Sequence, residues 1–497
     1  LFTPLLIRHL GEEGFGIWRL VFSLVSSFFI VQLGLNSAVN REVACAHALK
    51  KPRLASELVC TTLGVYLVGA AIVFAFTLVL AWKFPVWFDI SEENALSSRI
   101  AVAIAGCVVA TVVPLGVFRA VLTGLQRYVE VNSVKAMANL LRAAAVGLVL
   151  LVQRGVVELV AMTAGMVLLE NLLIARLSRK AYPEIRLSRE LCHPRALKPV
   201  LWYSLSSIMF GIGGMLNRKA GLWLIGIMVG AAGSSPYAVA MSLCNIIVGV
   251  VTFAVAGIKP AAAALDASED TRRLEILLVR SLKYTFFVAI PFSLLLYTLG
   301  GNFLLLWLRK PAFLVVVPAL QFMCITQVLY MAQFSGSLAL LGVGRHRAVG
   351  ATTILSVPVG IGLSLLLRYY MEDPYLAVSI GMGLPTWALG LVVVPLLACH
   401  AFKASRLLLY REAFARPVLV SLPAVGLCWL IVRYVRIDSW LSLMMAGAGI
   451  SLTAAVCYLA GGMDGLERKA LLSSVLRRKR KARMDAEEED EDRHAEE

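Results

Sequence analysis

Long apolar runs recur along almost the whole chain, separated by short polar connectors. Runs of about 18 residues or more can cross a hydrocarbon core as helices. Stretches such as 102–113 and 441–458 are apolar on every face, whereas a strand of a membrane β-barrel alternates in polarity over about ten residues. The pattern therefore predicts an all-α polytopic membrane protein with about fourteen transmembrane helices.

The placement of charge agrees with a membrane protein. Charged residues make up 16% of the chain and hydrophobic residues 59%, whereas soluble domains carry roughly 25% charged residues. The net charge of +16 could suggest nucleic acid, but the basic residues lie in the connectors and not on one soluble domain. We therefore expect no nucleic-acid partner, and we expect membrane lipids to surround the chain.

Alternate connectors differ in their content of Lys and Arg, and this difference predicts which side of the membrane each connector faces. The connectors of one set are rich in Lys and Arg, and they include 41–53, 179–198, 272–283 and 403–416. The opposite set holds isolated cations and the acidic Asp89, Glu92 and Glu93. The positive-inside rule places the basic set in the cytoplasm. An even number of helices then places both termini there.

Landmarks of the first half recur in the second half at nearly one offset. The offset is 219 for Gly11 and Gly230, and 218 for Arg41 and Lys259. The other matches are Gly14 with Gly233, Trp87 with Trp307, Gly124 with Gly342 and Arg127 with Arg345. Each unit holds about six helices, an even number, so the units should form parallel lobes around a central cavity.

These features divide the chain into four predicted parts. Residues 1–180 form an N-terminal lobe, whose first helix is expected to be truncated because the chain starts inside an apolar segment. Residues 181–400 form a C-terminal lobe, and residues 401–462 form two further helices. Residues 463–497 form a charged cytoplasmic tail that we expect to be disordered, with its basic part on anionic headgroups.

Cations inside the predicted spans are the candidate functional groups, because each costs at least about 2.5 kcal/mol in hydrocarbon without a partner. The candidates are Arg41, Arg119, Arg142, Arg218, Lys219 and Lys259. Embedded carboxylates are fewer, with Glu170 inside helix 6 and Glu158 near its outer start. A cavity between the lobes should therefore be electropositive and suited to phosphate or pyrophosphate.

Simpler roles remain open for several of these residues. Arg41 and Arg119 could extend to the inner headgroups, and Arg142 could pair with Glu170. Arg218 and Lys219 are adjacent, and adjacent helical residues point about 100° apart. At least one of these two side chains should therefore reach a polar interior.

The sequence contains no catalytic constellation. It has no Walker lysine motif and no GxSxG motif, and its nine cysteines and six histidines show no metal-ligand spacing. We therefore expect a protein that is not an enzyme and that needs no metal or cofactor.

Several segments together resemble Wzx-type polysaccharide flippases of the multidrug/oligosaccharidyl-lipid/polysaccharide superfamily. The segments are TPLLIRHLGEEGFGIWRLVFSL and QLGLNSAVNREVA near the start, VPLGVFRAVLTGLQRYVEVNSV after helix 4 and LALLGVGRHRAV after helix 10. One departure is in helix 7, where relatives often read a polar stretch with Asp-Arg and this chain reads Asn217-Arg218-Lys219-Ala220.

The resemblance implies a MATE-like fold of two six-helix lobes plus two helices in a bacterial inner membrane. It also implies alternating-access transport of polyprenyl-pyrophosphate-linked oligosaccharide for O-antigen or exopolysaccharide synthesis. By position, Arg142, Arg218 and Lys219 look like candidates for contacting the pyrophosphate. A polysaccharide polymerase and glycosyltransferases are the implied protein partners.

Two other functions fit parts of the pattern. A cation-coupled multidrug exporter of the same fold would need embedded carboxylates, and Glu170 is the candidate for ion coupling. A non-transporting scaffold for envelope assembly would make cavity mutations silent.

Overall fold

The computed structural model describes residues 2–32, 35–152, 155–192, 197–465 and 467, together with the side chains of most of them. Within these ranges the chain is helical and has no strand, which confirms the all-α prediction. The side chain of Arg41 and the tail from residue 468 onward lie outside the described residues.

The first half of the chain contains six α-helices. They are α1 (Thr3–Val25), α2 (Leu35–Ala48), α3 (Pro52–Trp87), α4 (Glu92–Gly124), α5 (Tyr128–Leu151) and α6 (Val156–Ala181). A 3-10 segment, Ser26–Gln32, continues α1, and another, Arg189–Leu191, lies in the linker that follows α6.

The second half begins with a longer helix and ends with shorter ones. Its helices are α7 (Leu197–Val255), α8 (Ile258–Ala267), α9 (Thr271–Leu308), α10 (Val317–Gly342), α11 (Arg347–Tyr370), α12 (Pro374–Ala388), α13 (Val394–Phe402), α14 (Arg406–Leu409), α15 (Arg416–Tyr434) and α16 (Trp440–Cys457). The 3-10 segment Pro311–Val316 precedes α10. Single π-turns join α12 to α13 and α14 to α15, and another follows α16.

Eleven helical segments of the described chain are long and apolar enough to cross a membrane. One of them, Met209–Ala267, contains Gly230 at φ 80° and ψ 176°, so it holds two helical limbs. The shorter α1 is divided in the same way at Gly11, with φ 73° and ψ 180°. Only glycine adopts this conformation without steric strain. The count of fourteen helices stays a prediction.

The backbone repeats at the offset found in the sequence. Among the described residues, eight of the nine with positive φ form pairs 218 to 220 positions apart, namely Gly11 and Gly230, Lys50 and Glu269, Asp89 and Arg309, and Gln126 and Gly344, and Lys403 is the ninth. Helical segments begin at 52 and 271, at 92 and 311, at 128 and 347, and at 156 and 374. The two halves therefore place their turns and helix starts at equivalent positions.

Helices α1 and α7 join the two halves through paired contacts. A Cβ atom at Gly16 would collide with the carbonyl oxygen of Ala231. The hydroxyl of Ser235 donates to the carbonyl of Glu12. Ser235 and Ala231 are the repeat equivalents of Gly16 and Glu12, so the two contacts are related by the pseudo-symmetry.

The halves also touch at the ends predicted to be external. The backbone N–H of Ala231 donates to the carbonyl of Phe88 at 2.8 Å. The Lys310 ammonium lies 3.4 Å from a carboxylate oxygen of Glu12. These contacts bring the ends of α3 and α9 close to the glycine-divided helices α7 and α1, respectively.

The end of the described chain is anchored by a buried ion pair. Lys283 of α9 lies 2.7 Å from Glu467, and their side chains are 3% and 6% exposed. Arg280 approaches the other oxygen of Glu467 at 3.3 Å. Desolvation by burial raises the pKa of Glu467, but the hydrogen bond and charge of Lys283, together with hydrogen bonds from the Asp464 backbone and the Tyr284 side chain, outweigh it and lower the pKa overall.

We predict that Glu467→Gln destabilises the protein by about 3 kcal/mol, because it leaves the Lys283 ammonium buried without a counter-charge. A thermal unfolding curve of the detergent-purified protein measures this loss. Glu372→Gln, at an exposed carboxylate after α11, is the control and should unfold like the wild type. Equal melting temperatures for the two variants would contradict the assigned anchor.

Candidate functional site

Lys219 of α7 reaches across to the other half of the molecule. Its ammonium donates to the carbonyl of Ser23 at 3.1 Å and to the hydroxyls of Ser26 and Ser27 at 2.8 and 3.2 Å. These acceptors lie where α1 ends, and a helix C-terminus carries unpaired carbonyls and partial negative charge. No described carboxylate forms an ion pair with Lys219, so its charge is stabilised by neutral oxygens.

Arg19 is a second cation between the two halves, and it is absent from the predicted set. Its guanidinium donates to the carbonyl of Ala238 at 3.2 Å and to the hydroxyl of Ser242 at 2.6 Å. Ala238 is the repeat equivalent of Arg19 itself, so this contact lies close to the pseudo-symmetry axis. A lone arginine in the apolar run 15–35 is a sequence signal that could have identified it.

Arg218, next to Lys219 in α7, points into the C-terminal half. Its guanidinium donates to the hydroxyl of Tyr330 at 3.2 Å. The preceding Asn217 donates to the hydroxyl of Ser356 at 2.6 Å. The two adjacent cations of α7 therefore point into different environments. Arg218 points into the C-terminal half, and Lys219 points into the junction of the halves.

Glu170 lies between two predicted site residues of the N-terminal half. One of its oxygens lies 2.7 Å from Arg119 and the other lies 3.4 Å from Arg142. The Glu170 side chain is 9% exposed, while each arginine side chain is 32% exposed. The simpler alternative for Arg142, pairing with Glu170, is therefore what the structure shows, and the trio has a net charge of +1.

Lys259 lies apart from these groups. It is exposed on the first turn of α8. Burial, together with the charges of Lys259 and Arg347, lowers the pKa of His346 in the connector before α11. Lys259 therefore belongs to the face predicted to be cytoplasmic and not to the junction that holds Lys219.

Two of the cations, Arg142 and Arg218, line cavities, one in each half. The N-terminal cavity has a volume of about 270 Å³, and Arg142 and Ser26 line it together with the aromatic rings of Trp18, Phe22 and Phe29. The C-terminal cavity has a volume of about 90 Å³. Its lining includes Arg218, Tyr330 and the amides of Asn217, Asn245 and Gln327. The wall of the first cavity is almost entirely apolar, whereas the wall of the second is apolar over most of its area but holds more polar groups.

Residues 1–265 match a family described as polysaccharide biosynthesis protein. The inward-facing conformation of a multidrug resistance MATE family transporter of the MOP superfamily is similar to the chain, with a TM-score of 0.69 and 15% identity. The match covers 81% of this chain and 93% of that one. The outward-facing conformation of such a transporter gives a TM-score of 0.57 at 15% identity, covering 80% and 89%.

The lipid II flippase MurJ, in an inward closed conformation, is also similar, with a TM-score of 0.61 and 13% identity over 90% of this chain and 97% of that one. At these identities the likeness establishes the fold alone, and it confirms the MATE-like architecture. No curated protein sequence matches the chain significantly.

We predict that Glu170→Gln strengthens binding of inorganic pyrophosphate by about tenfold, because Arg119 and Arg142 lose the carboxylate that competes for them. Isothermal titration of the purified protein measures the affinity. Glu158→Gln, on the same helix but outside the trio, is the matched control and should bind like the wild type. A Glu170→Gln affinity equal to that of the control would contradict the competition.

Proposed function

The chain belongs to the polysaccharide biosynthesis protein family, and from that premise we propose that it flips polyprenyl-pyrophosphate-linked oligosaccharide across the membrane. The coarser conclusion, a membrane transporter or flippase of the MOP superfamily, follows from the family and the fold. Our proposal adds the identity of the cargo, the direction in which it crosses the membrane and the residues that bind it.

One observation carries the proposal, namely the excess of positive charge where the halves meet and in their cavities. Arg19 and Lys219 lie where the halves meet, Arg142 and Arg218 line the cavities, and Arg119 binds the same carboxylate as Arg142. Within the described ranges, Glu170 is the one carboxylate that pairs with any of them. Uncompensated cations at this depth are costly, so an anionic cargo that they stabilise accounts for their presence.

The surroundings of the cations favour an amphiphilic anion. Arg142 lies in the wall of a cavity that is lined mostly by rings and aliphatic side chains, with the hydroxyls of Ser26 and Thr163. An isoprenyl chain next to its own phosphate presents the matching combination of apolar surface and negative charge. Arginine also suits phosphate because its guanidinium can form two parallel hydrogen bonds.

The exporter alternative has less support. A cationic drug or a coupling cation needs an available carboxylate, but Glu170 is already held by Arg119 and Arg142. A cationic drug would also be repelled by the arginine and lysine side chains that lie near the cavities. Drug resistance that depends on Glu170 would favour the exporter.

We propose that the protein rests in an inward-facing state. The halves contact each other through Lys310 and Glu12 and through Ala231 and Phe88 at the predicted external ends. The higher TM-score with the inward-facing MATE structure agrees with this assignment. Opening toward the outside would then require these external contacts to separate.

The proposed location is the inner membrane, with both termini in the cytoplasm. Glycosyltransferases on the cytoplasmic side would supply the lipid-linked sugar, and a polymerase on the external side would consume it. The predicted lobe boundaries, 1–180 and 181–400, with additional helices at 401–462, are part of the same proposal.

Replacing Arg218 and Lys219 together with Ala should reduce surface polysaccharide to background. The loss of two charge-assisted contacts should weaken cargo binding by about a hundredfold or more. The measurement is surface polymer in cells, normalised to the amount of protein in the membrane. Replacement of Arg272 and Arg273, adjacent exposed cations at the start of α9, is the matched control. Normal polymer in the Arg218 and Lys219 variant would reject their role.

A further inference from the structure

The two cavities occupy equivalent places in the repeat. Eight residues that line the N-terminal cavity have counterparts exactly 219 positions later in the lining of the C-terminal cavity. The pairs are Trp18 and Tyr237, Phe22 and Met241, Val25 and Cys244, Ser26 and Asn245, Val108 and Gln327, Thr163 and Met382, Ala164 and Gly383, and Val167 and Thr386. We call them the N-chamber and the C-chamber.

Three of the paired positions carry a more polar or longer polar side chain in the C-chamber, and one pair, Thr163 and Met382, differs in the opposite sense. Val108 of the N-chamber corresponds to Gln327, and Ser26 corresponds to the longer amide of Asn245. Val167 likewise corresponds to Thr386. Because Val108 and Val167 occupy two of these positions in the N-chamber, the fold itself does not require the polar groups of Gln327 and Thr386.

The two unmatched amides of the C-chamber are available to a ligand. Among the described residues, neither Asn245 nor Gln327 donates or accepts a side-chain hydrogen bond within the protein. Other polar groups of the lining are occupied, since Ser379 donates to a backbone carbonyl at 2.8 Å and Thr386 does so at 3.2 Å. Asn245 is exposed and Gln327 is half-buried in the cavity wall, so both amides are free to bind a polar ligand.

The chemistry of the C-chamber excludes the other classes of occupant. Its lining contains no carboxylate, and the Arg218 guanidinium would repel a metal cation. An isoprenyl chain would leave both amides without partners. Hydroxyl and acetamido groups of a sugar can both donate to and accept from primary amides. Met241, Met323 and Met382 add an apolar wall that adapts to different ring shapes.

We propose that the C-chamber is the sugar subsite, in which Asn245 and Gln327 bind the sugar attached to the pyrophosphate. This assignment rests on the proposed function. Arg218 lies in the chamber wall and Lys219 lies beside it at the junction, so the pyrophosphate lies between the sugar and the N-chamber. The N-chamber, with Trp18 and Phe22, receives the first isoprenyl units.

The test compares two probes that differ only in the sugar. Undecaprenyl-pyrophosphoryl-N-acetylglucosamine and undecaprenyl pyrophosphate are titrated against the full chain in phospholipid nanodiscs. We expect the wild type to bind the sugar-bearing probe more tightly. The double variant Asn245→Ser and Gln327→Val installs the N-chamber residues in the C-chamber. It should weaken binding of the sugar-bearing probe by about tenfold and leave binding of undecaprenyl pyrophosphate within about twofold.

A matched variant in the other chamber is the control. Val108→Ala changes the counterpart of Gln327 and should alter the affinities for both probes by the same factor. If the double variant keeps the full preference for the sugar-bearing probe, or if the wild type binds both probes equally, the sugar subsite is rejected while the flippase proposal stands. If the wild type binds neither probe, the proposed function itself is rejected.

The single variant Gln327→Glu keeps the size of the side chain but adds a negative charge, which should weaken binding of both pyrophosphate probes by the same factor. Its carboxylate can still accept from sugar hydroxyls but cannot donate to the acetamido carbonyl. We expect it to retain part of the sugar preference in a protein with normal thermal stability. Complete retention in this variant and in the double variant would overturn the assignment.

Discussion

A cation at bilayer depth must be surrounded by hydrogen-bond acceptors, counter-charges or water, and the centre of this protein is arranged around that requirement. Lys219 uses the carbonyl and hydroxyl oxygens at the end of α1, and Arg19 uses a carbonyl and a hydroxyl of α7. Each of these cations therefore lies at the boundary between the halves. The contacts that stabilise the charges also join the halves.

The internal repeat explains how one fold can hold two different environments. Paired turns at Gly11 and Gly230 place equivalent helices around each cavity. The side chains then diverge, with Val108 in one cavity and Gln327 in the other. Glu170 and its two arginines occur in the N-terminal half, and their equivalents in the C-terminal half are Leu389, Leu338 and Ile361. The two halves thus share a backbone arrangement but carry different side chains, and an amphiphilic cargo needs such different surroundings for its apolar and polar parts.

Much of the fold follows from the sequence because hydrophobic length and glycine position are local signals. The repeat offset and the different directions of Arg218 and Lys219 could be predicted in this way. The serine oxygens around Lys219 and the role of Arg19 could not, since both depend on how α1 packs against α7. Equivalence of the two cavities also depends on packing, because the lining of the first comes from α1, α4, α5 and α6 and that of the second from both limbs of α7, α10 and α12.

The most direct test is a solid-state NMR distance measurement between phosphorus and side-chain nitrogen. The protein carries ¹⁵N-labelled lysine and is loaded with undecaprenyl-pyrophosphoryl-N-acetylglucosamine, and Lys219→Arg identifies the resonance. Dipolar coupling between the Lys219 nitrogen and the bound phosphorus is the predicted result. Bound lipid whose phosphorus shows no coupling to Lys219 would contradict the account that the buried cations serve an anionic cargo.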